Sequence, residues 1–323
     1  MPKVALPAVL LLLSLAVHPL QAIDVDLNPA KKTVTLSPEK PNEVIRYTLD
    51  GRDPDFASGV YLAPIELPQG GVVKAAVFDD NKRVGQVITR TINGASSDLI
   101  NSAELPVTQN RDWRTYDWVK RHQDVLEIVK TNPASAQVVF VGDSITHFWG
   151  GEPKAQRVAG PVSWEKYFAP RKTLNLGFGW DRTENVLWRL RHGEIKGLKP
   201  KAFIVLIGTN NFSSNSVAET AESVQAVCQE IRNQAPGAKI LLLGILPRSE
   251  RPDAYRAKAI DTNAILASRS SKFADRFLDL SDKLVNPDGR ITKAMMSDFL
   301  HPTEKGYEII GAAIDQVLRE WGL

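Results

Sequence analysis

Ser144, Asp298, His301 and Asn210 are the side chains in this sequence whose types and settings suit acyl transfer. Ser144 lies in "QVVFVGDSITHFW" (137–149), where an apolar run ends at Gly142-Asp143-Ser144 and a helix can begin. A hydroxyl placed there meets free backbone N–H groups and the positive end of the helix dipole, which favour a developing anion. Alone, such a serine reads as an ordinary N-cap. In "SDFLHPTEKGYEII", Asp298 and His301 are three residues apart just before an amphipathic helix, so one turn brings both side chains to the same side. A carboxylate that accepts from one imidazole nitrogen fixes the tautomer and frees the other nitrogen to take a serine proton. An isolated Asp-x-x-His is usually a solvated loop. Beside Ser144, in a chain with five histidines, a catalytic triad is the better reading.

Two further stretches supply oxyanion donors. "IVLIGTNNF" ends an apolar run in turn residues and lets Asn210 present an amide to a carbonyl oxygen as it becomes charged. "NLGFGWDRTENVLWRL" takes a glycine-bearing turn into a helix that Asp181 is expected to cap, with Glu184 three residues on. The main-chain N–H of Gly179 or Trp180 then completes the hole with that of Ser144. Asp143, Trp149 and Asn211 sit close enough to these stretches to line a substrate pocket. His147 and His192 read as surface or packing residues. No Cys, His or carboxylate cluster has metal-ligand spacing, so neither metal nor other cofactor is expected.

Positioning these residues requires a sheet. Apolar strands at 137–141, "TLNLG", "AFIVLIG", "KILLLGIL" and "RFLDL" alternate with helical stretches at 183–191, 217–233 and 255–267, after an opening helix "DWRTYDWVKRHQDVLEIVK". Strands apolar on both faces and alternating with helices predict an α/β domain, a parallel sheet covered on both sides, over 111–323. Ligands of such sheets bind beyond the carboxyl ends of the strands, where Ser144 falls. Residues 23–93 read differently: short alternating runs broken by Pro, Gly, Asp and Asn predict a small antiparallel β-sandwich. Residues 94–110, small, polar and aperiodic, are read as a linker.

The chain of 323 residues, 43% hydrophobic, is long enough for this large domain and a smaller one. Residues 1–22, "MPKVALPAVLLLLSLAVHPLQA", have the lysine, leucine-rich run and small terminal residue of a secretory signal peptide, which implies a secreted or periplasmic protein without a transmembrane segment. The net charge of +3 is spread over 40 basic and 37 acidic residues with no sustained run of one sign, so nucleic acid is not an expected partner. The single cysteine, Cys228, falls on the apolar face of a helix and reads as a small buried hydrophobe. The oligomeric state is not encoded in any pattern seen here.

Taken together, Gly142-Asp143-Ser144, the "GFGW" turn, Gly208-Thr209-Asn210 and Asp298-x-x-His301 occur in the order that marks the SGNH, or GDSL, hydrolases. Thr146 stands where a G-x-S-x-G elbow needs its last glycine, so the α/β-hydrolases match less well. Within the group, "NLGFGWDRTENVLWRLRHGEIKGLKPK", "GTNNF", "ILPRSERP" and "DFLHPTEKGY" resemble the catalytic subunits of intracellular platelet-activating-factor acetylhydrolases and their bacterial relatives. The resemblance implies a flavodoxin-like three-layer α/β/α domain with Ser144 as nucleophile, His301 as base and Asp298 as its orienter. It also implies an oxyanion hole from the Ser144 N–H, a main-chain N–H of the second block and the Asn210 amide. One departure stands out: Trp180 occupies the place of the family's second-block oxyanion glycine, and an indole there narrows the acyl site toward a small group such as acetyl. The segment "IRYTLDGRDPDFASGVYLAPIEL", with "GVVKAAVFD" after it, is similar to the chitobiase C-terminal-like β-domains appended to secreted carbohydrate-active enzymes.

These readings lead to a secreted serine esterase that removes acetyl groups from a carbohydrate. A lipid ester or thioester hydrolase, and a glycan-binding module with a decayed triad, are the competing expectations.

Overall fold

The computed structural model describes residues 23–41, 43–79, 81–93, 101–133 and 136–323, so the expected signal peptide lies outside the described residues. No helix among them is long and apolar enough to cross a membrane.

The N-terminal domain is a pair of antiparallel sheets. One joins β1 (Ile23–Asn28), β2 (Thr33–Pro38) and β5 (Ile65–Glu66); the other runs β4 (Gly59–Val60), β3 (Val44–Thr48), β6 (Gly71–Asp79) and β7 (Lys82–Arg83), with β8 (Ile88–Ile92) also paired to β6. Val34 and Leu36 from one sheet meet Ile45, Tyr47, Val73, Ala75 and Val77 from the other in one buried core, the inward half of each strand's alternation.

The larger domain is a parallel sheet of β9 (Val138–Gly142), β10 (Thr173–Gly177), β11 (Ala202–Leu206), β12 (Lys239–Leu243) and β13 (Arg276–Leu278), in the spatial order β10-β9-β11-β12-β13. Strands β9 to β12 are buried on both faces, which is why they read as continuous apolar runs, whereas the edge strand β13 is partly exposed. Val139, Val141, Phe203 and Val205 face one layer, built from α1 (Trp118–Thr131), α4 (Thr183–Arg189) and α5 (Val217–Gln234). Val138, Phe140, Ile204 and Leu206 face the other, built from α3 (Pro161–Tyr167) and α8 (Glu304–Glu320). Strand order reverses between β9 and β11, the switch point at which sheets of this kind open a crevice.

The first helix is shorter than its sequence suggests. Asp117 accepts from the Lys120 N–H and caps α1 at Trp118, so 112–115 form turns instead. The described part of the expected linker, 101–110, is packed between the domains. The Thr108 hydroxyl donates to the Val60 carbonyl at 2.6 Å, and the Asn110 side chain to the Phe56 carbonyl at 2.9 Å. On the hydrolase side, Asn185 Nδ2 donates to the Val107 carbonyl at 2.7 Å. Phe56 and Trp113 meet edge-on, with 5.4 Å between ring centroids. Cys228 is fully buried, and burial pushes its thiol up to about 12.

Candidate active site

At the carboxyl end of β9 the chain turns into the short helix α2 (Ser144–His147). Gly142 is needed there for space: a Cβ would collide with Thr146 Oγ1 and with the Leu206 carbonyl of β11. Asp143 caps α2 by accepting from the Ile145 N–H at 2.9 Å. Two buried groups fix this helix from outside. Asn175, in β10, donates to the carbonyls of Thr146 (2.8 Å) and Gly150 (2.6 Å), and the Tyr307 hydroxyl of α8 donates to the Ile145 carbonyl (2.7 Å).

Ser144 and His301 meet across the sheet edge. His301 Nε2 lies 2.8 Å from Ser144 Oγ, and His301 Nδ1 lies 2.7 Å from Asp298 Oδ2. The other Asp298 oxygen accepts from the main-chain N–H groups of His301 (2.8 Å) and Leu300 (3.2 Å), so the turn before α8 locks the carboxylate onto the ring. Burial by itself would raise this carboxyl; the hydrogen bonds from His301 and the ring's charge outweigh it and hold Asp298 below the usual carboxylate range. Because Nδ1 faces an anion, the proton resides there and Nε2 is left to accept from the serine.

The second-block turn forms the adjoining wall. Trp180 adopts a left-handed backbone (φ 62°) and is half exposed. Among the described residues its N–H donates to no protein acceptor, and neither does that of Ser144. The Gly179 N–H, by contrast, donates to His147 Nδ1 at 3.1 Å and is not available to a substrate. Burial, helped by the charges of Arg121 and Arg189, pushes His147 down to about 2, so it stays a neutral acceptor. Asn210 Nδ2 gives one hydrogen to the Asp181 carbonyl at 2.9 Å, which leaves its second for the pocket.

Several residues sit elsewhere than the sequence suggests. Asp181 does not cap α4; Arg182 occupies that position, and its N–H is received by Asn185 Oδ1 at 2.9 Å. Asp181 is instead buried and accepts from Gln109 Nε2 (3.0 Å), Trp118 Nε1 (2.8 Å) and Arg189 Nε (2.8 Å). Asp143, Trp149 and Asn211 do not line the pocket. Asp143 is buried under its helix, and desolvation raises its carboxyl to about 7. Trp149 is a core residue stacked on Tyr307, its indole N–H donated to Ser163 Oγ at 3.0 Å. Asn211 is spent on hydrogen bonds with Thr183, Glu184 and Asn215.

The pocket has a volume of about 280 Å³ and is lined by Ser144, His301, Phe148, Leu300, Trp180, Thr209 and Asn210 together with Asp112, Arg182, Ser213, Arg248 and Tyr255. Of these, only Ser144, His301, Trp180 and Asn210 were candidates from sequence. Nor was the clamp behind the oxyanion turn: Gln109 Nε2 (2.8 Å) and the Tyr116 hydroxyl (2.9 Å) both donate to the Gly179 carbonyl, and Arg111 donates to that of Trp180. Clustered polar residues at 109–116 were the available signal, and they resembled a linker followed by a helix.

With this geometry in place, comparison with known proteins identifies the chain. Residues 140–309 match the GDSL-like Lipase/Acylhydrolase family. The chain belongs to that family. Residues 34–92 match the family described as Fn3 associated, over the segment read above as chitobiase C-terminal-like. Platelet-activating factor acetylhydrolase IB subunit alpha2 of Rattus norvegicus is 36% identical over 205 residues, covering 63% of this chain and 84% of the relative. Subunit alpha1 from the same organism is 30% identical over 202 residues, 62% and 82% respectively. A crystal structure from Bacteroides fragilis assigned to the acylhydrolases superposes with a TM-score of 0.52 at 21% identity, covering 64% of this chain and 98% of that one.

Proposed function

We propose that this family member is an exported serine esterase that removes O-acetyl groups from a carbohydrate. One observation carries the catalytic part: Asp298, His301 and Ser144 form a continuous hydrogen-bonded chain that ends in an open pocket. In this reading Ser144 Oγ attacks the ester carbonyl as His301 Nε2 takes its proton, and Asp298 stabilises the imidazolium. The tetrahedral oxyanion is received by the Ser144 and Trp180 N–H groups and the free hydrogen of Asn210. Collapse, with proton return from His301 to the departing sugar oxygen, leaves an acetyl-serine. Water deprotonated by the same nitrogen then releases acetate. The small pocket and the Trp180 indole at its wall favour a short acyl group, while the N-terminal β-domain and the signal-like residues 1–22 favour an exported carbohydrate substrate.

The test is acetate release from acetylated xylan, pectin and mucin and from p-nitrophenyl acetate, beside Ser144→Ala. Serine-dependent release from a glycan supports the proposal. Identical behaviour of the two proteins removes Ser144 from its role.

A second reading is favoured by the names of the similar acetylhydrolase subunits: a lipid acetyl ester hydrolase. Release from an acetylated ether phospholipid and from no glycan selects it.

A further inference from the structure

Within the pocket, Arg248 has an unfilled hydrogen-bonding fork. Its Nη1 makes two long hydrogen bonds to Thr209, 3.3 Å to Oγ1 and 3.4 Å to the carbonyl, and its guanidinium lies 4.8 Å from the centroid of the Tyr255 ring. Among the described residues it forms no ion pair within 4 Å, and Nε and Nη2 meet no protein acceptor. Those two nitrogens present the parallel N–H pair that a carboxylate fills bidentately. The contrast with its neighbour is informative. Arg182, also on the pocket wall, spends Nε on the Asn210 carbonyl (3.1 Å) and Nη2 on Ser213 Oγ (3.1 Å), with Glu184 3.9 Å from Nη1. Arg182 therefore builds the wall, whereas Arg248 keeps Nε and Nη2 free of protein acceptors, and Asp253 and Asp143 act on its charge only from a distance.

The tether also fixes where an anion would sit. Thr209 immediately precedes Asn210, and both line the pocket with Ser144, so the tether holds the guanidinium in the pocket of the reacting ester with its Nε and Nη2 edge turned away from Thr209. Asp112, the acidic residue of the pocket wall, is hydrogen-bonded to Thr115 and faces the charge of His301, and it forms no ion pair with Arg248.

We infer that Arg248 selects an acidic sugar: the ester's own or adjacent residue carries a carboxylate that pairs with Nε and Nη2. This rests on the acetylesterase reading above and names its substrate class. Arg248 is a specificity-determining residue that touches substrate and takes no part in bond making.

The experiment compares kcat/KM of the full chain on acetylated oligogalacturonate and on its carboxyl-methyl ester of equal acetyl content, with p-nitrophenyl acetate and an acetylated ether phospholipid as further arms. The expected preference for the acid over the neutral ester is roughly 10- to 100-fold, the range of a charge-assisted pair. Arg248→Gln brings that ratio to about 1, and Arg248→Lys, which keeps the charge and loses the fork, retains only part of it. Because the readout is a ratio between two substrates on one protein, a general loss of activity does not mimic it. Equal rates on acid and methyl ester, or a ratio unchanged in Arg248→Gln, overturn the pairing while glycan deacetylation stands. Turnover of p-nitrophenyl acetate or the phospholipid with neither glycan overturns the acetylesterase reading, and the pairing falls with it.

Discussion

Replacing Arg189 with leucine tests what holds the oxyanion turn. Arg189 is fully buried in α4; it donates through Nε to Asp181 Oδ2, through Nη1 to Glu194, and stacks over Phe178 with 3.9 Å to the ring centroid. Both carboxylates have no exposed side-chain surface. Burial works against the guanidinium's charge, but Glu194 and Asp181 outweigh it and hold its pKa above the ordinary value. Asp181, in turn, is raised because burial outweighs even Arg189 and its three hydrogen bonds. Removing the arginine leaves Gln109 and Trp118 on Asp181 and His122 on Glu194, but no cation between the two anions. Breaking a buried pair from one side costs about 3–5 kcal/mol, a fifth or more of the roughly 5–15 kcal/mol that stabilises a typical domain.

The sign with pH follows. In Arg189→Leu the folded-state pKa of Asp181 rises further above its unfolded value, so folding is favoured at low pH and the advantage is lost as pH rises through the new pKa. The deficit is therefore larger at pH 8 than at pH 5, by about 1.4 kcal/mol for each unit of added shift. Urea unfolding followed by tryptophan fluorescence at both pH values measures it. Since Asp181 presents its carbonyl to Asn210 and follows Trp180 directly, kcat should also fall in the fraction that remains folded. A loss under about 1 kcal/mol, the same at both pH values, would refute the claim that this ion triad anchors the turn.

Other substitutions probe the site more directly. Asn210→Ala removes one oxyanion donor and should lower kcat by about 10²- to 10³-fold with p-nitrophenyl acetate; a loss under tenfold would take Asn210 out of the hole. Asp298→Asn should reduce kcat by roughly 10²- to 10⁴-fold, toward the lower end because this carboxylate is half exposed and partly screened, and stopped-flow acylation rates would show it. Asp143→Asn should flatten the stability profile between pH 4 and pH 7. The raised Asp143 pKa makes the native chain bind the extra proton, so wild-type stability declines by up to about 4 kcal/mol across that window, and parallel denaturation curves for the two proteins would contradict it.

What the sequence determined by itself is what depends on local pattern. Strands buried on both faces must be apolar throughout, so β9 to β12 are legible as uninterrupted runs, and the helices between them follow from their 3.6-residue period. Ser144, Asp298, His301 and Asn210 are legible because each sits at a fixed offset from an element end, and element ends are set by neighbours in sequence. Tertiary structure decided everything that depends on which surfaces meet. Nothing local to Trp149 or Asn211 tells that α8 and the start of α4 will enclose them, and nothing local to Asp181 tells that Trp118 and Gln109 arrive from 63 and 72 residues away. Gln109, Arg111 and Tyr116 serve a turn in another element, so from sequence Gln109 was indistinguishable from a linker and Tyr116 from part of the opening helix. Arg248 has the same origin: its free fork is a statement about absent neighbours, and only the folded chain says which neighbours a residue has.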